Sequence, residues 1–235
     1  MNYEPTYRIF PLGDAAITID FGSIIDEQIN KKILAGFHQL QKDPLPAMIE
    51  AVPAYSSLTV YYDLAVLKKI IPGEKILYDW MKEQLEKRDP ASWDENNQPA
   101  RIVKVPVCYE NEFAPDIAQL ASYNNIGVEE VIALHVSASY RVYMLGFLPG
   151  FAYMGPVKEH IQMPRKLRPA KVAAGSVGIA GNQTGIYPLA SPGGWHIIGR
   201  TPLRLFDAGK QDPTLLKAGD TVQFYSIATH EFENY

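Results

Sequence analysis

Hydrophobic positions change their period along this chain. In the N-terminal part strand-like runs stand beside segments of helical spacing. In the C-terminal half they fall in short alternating runs broken by Gly and Pro. Residues 7–10 and 15–21 read as strands separated by the turn Pro11-Leu12-Gly13-Asp14. Asp26 is placed to cap a helix running to about Gln41, with Ile29, Ile33, Leu34, Phe37 and Leu40 on one face. Pro44-Leu45-Pro46 closes it, and strands follow at 48–52 and 58–62. A second helical region is interrupted at Pro72-Gly73 and continues over 74–87, with Ile76, Leu77, Trp80, Met81 and Leu85 on one side. Residues 1–88 therefore predict an α+β unit. Residues 89–100 are polar, contain Pro90 and Pro99 and lack periodicity, which predicts a linker.

Beyond the linker, 102–107 reads as a strand. Ala114-Pro115-Asp116 opens a short helix through Ala121, and Gly127 opens another that ends near His135. Strand-like segments then occupy 140–145, 177–180, 185–188, 195–198, 203–206 and 221–227, the last preceded by a tight turn at Gly219-Asp220. Many short strands between Gly- and Pro-rich turns predict a mainly β barrel or sandwich over 101–235. The tail, 229–235, reads as loose.

Composition narrows the class. Of 235 residues, 47% are apolar and 20% charged, which suits a globular protein with a real core. A net charge of −4 without a basic block argues against nucleic acid or an anionic membrane as partner. The single cysteine, Cys108, excludes an internal disulfide and a cysteine-based zinc site. None of the five histidines pairs with another at helical metal spacing, so no metal site is expected. The polar, acidic N-terminus carries no signal-peptide pattern, and the expected location is cytoplasmic.

Candidate chemistry gathers between residues 135 and 206. His135 ends a predicted helix; it can move a proton or polarise a carbonyl, or it can bond the last carbonyls of its helix. Arg165, Lys166, Arg168 and Lys171 form a basic cluster ahead of Gly175-Ser176-Val177-Gly178, an arrangement suited to a carboxylate or phosphate, or to a solvated loop. Ser176 lacks the G-x-S-x-G context of a nucleophile and reads as a hydrogen-bonding loop residue. Tyr187, Pro188, Pro192 and Trp195 can line a ligand site, dock a protein or plug a barrel end. Gln183 and Arg200 sit on flanking turns. No P-loop or dinucleotide fingerprint is present.

Together these runs resemble the family of the 5-oxoprolinase B subunit, also called the kinase-inhibitor KipI or allophanate hydrolase subunit 1 family. The resemblance rests on Gly13-Asp14-Ala15-Ala16, Pro53-Ala54-Tyr55-Ser56-Ser57-Leu58-Thr59-Val60 and Gly146-Phe147-Leu148-Pro149-Gly150-Phe151-Ala152-Tyr153. It extends through Pro164-Arg165, Ala174-Gly175-Ser176-Val177-Gly178-Ile179-Ala180-Gly181 and Gln183-Thr184-Gly185-Ile186-Tyr187-Pro188 to Ser191-Pro192-Gly193-Gly194-Trp195 and Ile198-Gly199-Arg200-Thr201-Pro202. One departure stands out. Where the family has a second Pro-Arg followed by Val-Pro-Ala-Gly-Ser, this chain has Pro169-Ala170-Lys171 and Ala173, so the second basic group is lost or displaced to Lys171.

The resemblance implies a smaller N-terminal α+β domain and a cyclophilin-like C-terminal barrel. It implies a component that joins the A and C subunits to cleave 5-oxo-L-proline to L-glutamate with ATP as co-substrate, ATP binding at a shared or partner site. It also carries two alternatives, inhibition of a sensor histidine kinase and a role in urea carboxylase or allophanate hydrolysis. On the enzyme reading His135, Tyr140 and Arg165 are the candidate catalytic groups, and Gly175, Ser176, Gln183, Tyr187, Trp195 and Arg200 line the substrate site.

Overall fold

Asp26 caps the first helix as its sequence predicts: its side chain accepts from the Ile29 N–H, and the helix, α1, runs over Glu27–Lys42. The computed structural model describes residues 7–71, 76–94 and 100–235. It divides into two units, residues 1–99 and 100–235. The first holds strands β1 (Arg8–Pro11), β2 (Ala16–Asp20), β3 (Met48–Pro53) and β4 (Ser57–Tyr62), followed by helices α2 (Leu64–Ile70) and α3 (Leu77–Glu86). The strands make one antiparallel sheet in the order β1-β2-β4-β3. Ile17, Ile19, Leu58 and Val60 on its inner face pack with Ile33 and Leu40 of α1 and with Leu67, Met81 and Leu85 of α2 and α3. The expected interruption at Pro72-Gly73 lies outside the described residues.

Residues 89–94 do not behave as a free linker. Trp93 is buried, its indole N–H donates to the Arg88 carbonyl at 3.1 Å, and its ring lies where a side chain at Gly36 would be. The first unit thus continues past residue 88 because an aromatic ring there completes its core.

The second unit is a closed barrel. Its strands are β5 (Ile102–Cys108), β6 (Ser139–Leu145), β7 (Ala152–Gly155), β9 (Ser176–Ala180), β10 (Gln183–Ile186), β12 (His196–Arg200) and β13 (Thr221–Ile227), in the order β10-β7-β6-β13-β5-β12-β9. The short strands β8 (Ala170–Val172) and β11 (Ser191–Gly193) pair with each other outside it. β5 and β13 are parallel, in register from Ile102↔Thr221 to Cys108↔Ile227, and the other barrel pairings are antiparallel. Helices α4 (Ile117–Tyr123) and α5 (Val128–Val136) bury Leu120 and Val131 in the barrel core, and Arg101 pairs with the buried Asp220 ahead of β13. Among the described residues no helix is long and apolar enough to cross a membrane.

The expected fold class, an α+β unit followed by a mainly β barrel, is the one the chain adopts. Two local expectations are corrected. Residues 203–206 form no strand; Phe206 makes one isolated bridge, to Thr214. The tail holds a short helix, α6 (Thr229–Phe232), docked by Phe232 on Phe113 with ring centroids 4.4 Å apart.

Candidate functional site

His135 sits in the barrel core with no exposed surface. The Tyr109 hydroxyl lies 2.7 Å from Nδ1, and Thr184 Oγ1 lies 3.1 Å from Nε2. Thr184 spends its own hydroxyl proton on the Gly178 carbonyl at 3.1 Å. Nε2 of His135 must therefore carry the hydrogen and Nδ1 must accept from Tyr109. The ring stacks on Phe224 at 4.6 Å. Burial lowers its pKa from 6.5 to about 3, so it is neutral across the physiological range. Tyr140 is equally buried; its hydroxyl donates to the His135 carbonyl at 2.9 Å, and burial raises its pKa. These two of the three groups expected to be catalytic thus have their polar atoms matched inside the core. This geometry suits closing the end of α5 rather than touching a ligand.

The outer wall of the barrel is built differently. Alternation along β9 and β10 sends Val177, Ile179, Thr184 and Ile186 inward, and Gly178 and Gly185 face each other across the two strands. A Cβ on Gly178 would lie 3.1 Å from Trp195 Cβ, and one on Gly185 would lie 3.1 Å from the Phe151 ring. The paired glycines therefore let two aromatic rings lie against the barrel. Phe151, Tyr187 and Trp195 form a buried, edge-on cluster, with Phe151 5.1 Å from Tyr187 and 5.5 Å from Trp195. Tyr187 and Trp195, expected to line the site, are only 1% and 5% exposed and form a supporting layer. The solvent side is Phe147, 61% exposed at a φ of 68°, and the half-buried Tyr153.

Arg165 is exposed beside this cluster and has no carboxylate partner among the described residues. Its guanidinium lies over Gly194: a Cβ there would sit 3.4 Å from Nη2 and 3.5 Å from Nε. Its charge reaches both phenols. Burial raises the pKa of Tyr153, and Arg165 opposes that rise. Burial also raises that of Tyr187, against a backbone hydrogen bond from Trp195 and the pull of Arg165.

The other expected binding residues hold a loop in place. The Gly175 N–H donates to the Tyr187 carbonyl at 2.7 Å, and its carbonyl accepts from the Thr201 N–H at 2.9 Å. Gly175 has a φ of 81°, and a Cβ there would overlap the Thr201 carbonyl oxygen. Ser176 is buried, and its carbonyl accepts from the Tyr187 N–H at 2.8 Å. Arg200 Nε donates to the Ala174 carbonyl at 2.7 Å, and its guanidinium sits over the Phe232 ring. Gln183 starts β10 opposite Ala180, and the exposed Lys171 lies on β8 opposite Pro192. A hollow of about 560 Å³ lies elsewhere, lined by Lys104, Ser137, Ser139, Gln223 and Tyr225 among others, and holds none of the expected residues. Sequence reasoning missed Phe147 as the exposed ring and Tyr153 as the half-buried one. It read Asp116 only as part of a helix start and His196 only as one of five histidines; their contacts with Lys166 and Pro164 carry no local signal.

A mainly β barrel with this loop set, following an α+β unit along the chain, is the architecture of a known class. Residues 7–216 match the model of the carboxyltransferase domain, subdomain C and D. The 5-oxoprolinase B subunit of Bacillus subtilis (strain 168) is 44% identical over 231 residues, 97% of this chain and 96% of that protein. The protein of the same name from Escherichia coli O157:H7 is 35% identical over 218 residues, 92% of this chain and 94% of its own length. The crystal structure of TTHA0988 matches with a TM-score of 0.76 at 35% identity, covering 90% of this chain and 40% of that longer one. The chain belongs to the family of the 5-oxoprolinase B subunit.

Proposed function

We propose that this chain is the B subunit of an ATP-dependent 5-oxoprolinase and acts with the A and C subunits to open 5-oxo-L-proline to L-glutamate. The observation that carries the reading is the near end-to-end match, at 44% identity, to a protein of that name.

The substrate offers a carboxylate and a lactam. Arg165, exposed and without a carboxylate partner among the described residues, is the group suited to take the carboxylate in a two-point contact. Phe147 and Tyr153 supply apolar surface beside it for the five-membered ring. A lactam is a weak electrophile; transfer of a phosphoryl group from ATP to its oxygen, releasing ADP, activates the ring carbon. Water then adds, the C–N bond breaks with a proton passing to the amine nitrogen, and a second water hydrolyses the resulting acyl phosphate to the carboxylate and inorganic phosphate. Such a site must exclude bulk water and hold anions, which favours a cleft closed by a second protein of the complex. His135 and Tyr140 contribute by keeping the barrel wall rigid, and the proton-transfer groups then come from another component.

The test is 5-oxoproline-dependent ADP release by the chain alone and by the chain assembled with the A and C subunits. Turnover only in the assembly, lowered at least tenfold in kcat/KM by Arg165→Ala, is the expected result. An assembled complex with no 5-oxoproline-dependent turnover refutes the substrate. Full turnover by Arg165→Ala refutes the role given to that residue.

A further inference from the structure

Arg165 lies between two residues that are tied to one stretch of chain, 194–197. On one side, the Pro164 carbonyl accepts from His196 Nε2 at 2.9 Å. On the other, the Lys166 N–H donates to the Gly194 carbonyl at 2.8 Å, and Lys166 Nζ pairs with Asp116 Oδ2 at 2.6 Å. That same carboxylate oxygen accepts from the Ile197 N–H at 2.7 Å, while the Asp116 N–H donates to the Ile197 carbonyl at 2.9 Å. The backbone on both sides of Arg165 is thus referenced to the stretch that carries Trp195, and Gly194 leaves room for the guanidinium to lie across it.

His196 is the unusual member. It is 3% exposed, and its Nδ1 is buried with no hydrogen-bond partner. A carbonyl can only accept, so Nε2 carries the hydrogen and Nδ1 is a bare acceptor. An aliphatic side chain would fill the same space without burying an unmatched nitrogen. What the imidazole adds is the single bond to Pro164, whose carbonyl is that residue's one backbone hydrogen-bonding group.

We propose that His196, together with the Asp116–Lys166 pair, positions Arg165 for a small carboxylate ligand. The inference rests on the assignment of Arg165 to ligand binding made above. His196 acts through Arg165 and touches no ligand. Its loss frees the peptide before Arg165, and the guanidinium no longer arrives pre-aimed, so the ligand must meet the cost of ordering it.

The test is a set of variants in the assembled complex, with KM and kcat for 5-oxoproline measured separately. His196→Leu and Lys166→Met are each expected to raise KM roughly three- to tenfold while kcat changes less than about twofold. His196→Gln, whose amide nitrogen reaches about as far as Nε2, is expected to restore KM. On an Arg165→Ala background, His196→Leu is expected to add nothing, because the group it positions is gone. If His196→Leu does not fold, Lys166→Met, at a half-buried site, carries the same comparison. The inference is overturned if the folded variants leave KM unchanged. It is equally overturned if their effects persist in full on the Arg165→Ala background, since that is the signature of a general structural lesion. Failure of the underlying reading shows elsewhere, as a wild-type complex without turnover or an Arg165→Ala complex with normal KM, and it removes the inference as well.

Discussion

The buried imidazole of His135 makes a pH prediction whose size follows from its surroundings. Its folded pKa is about 3, against 6.5 for the free side chain. The unfolded chain therefore takes up a proton as pH falls through 6.5, and the folded chain does not until pH approaches 3. Stability contributed by the neutral ring is complete above 6.5 and is lost progressively below it. At pH 5 the gap is about one and a half pH units, or about 2 kcal/mol at roughly 1.36 kcal/mol per unit. Other groups titrate over the same range, so the measurement is a difference. Urea unfolding at pH 7.5 and 5.0 is compared between wild type and His135→Gln, which has no titrating ring. Wild type is expected to lose about 2 kcal/mol more than the variant over that interval. Nitrogen-15 NMR of the labelled ring is expected to show the Nε2–H tautomer, unprotonated to pH 4. A ring that titrates near 6.5, or equal pH losses in the two proteins, would refute both the burial argument and the assignment of His135 to the core.

The remaining predictions concern the supports of the site and the end of the first unit. Gly175→Ala is expected to cost about 2 kcal/mol or more in unfolding experiments, from a left-handed backbone and an overlap with the Thr201 carbonyl; a neutral result would mean the loop at 173–176 can shift freely. Trp93→Ala is expected to destabilise the first unit by about 3 kcal/mol in thermal unfolding of the full chain, and a loss below about 1 kcal/mol would return residues 89–94 to the status of a linker.

Much of the local structure was legible in order along the chain. The α1 helix follows from its apolar spacing and from Asp26, and β13 spans Thr221–Ile227 as its alternation indicates. Here the cause is local: a capping side chain or a period-2 run acts within a few residues of itself. The strands β7, β8 and β11 were not legible. They are three or four residues long, carry Gly or Pro in two cases, and exist as strands only because a partner lies alongside. For the converse reason residues 203–206, apolar enough to suggest a strand, form none: their one bridge is to Thr214.

The candidate site divides in the same way. The sequence by itself determined the class of fold, the family, and the concentration of Gly, Pro and aromatic residues around Arg165, because those features are contiguous. Only the tertiary structure decided which polar residues are available. His135 is matched by Tyr109 and Thr184, 26 and 49 residues away, and so is withdrawn from solvent. Tyr187 and Trp195 are covered by neighbours, Tyr153 is half covered, and Phe147 is left outside. Arg165 gains its fixed approach from His196 and from Asp116, which reaches across 50 residues to Lys166. Burial and hydrogen-bond matching are sums over neighbours in space, and barrel closure chooses those neighbours from distant parts of the chain.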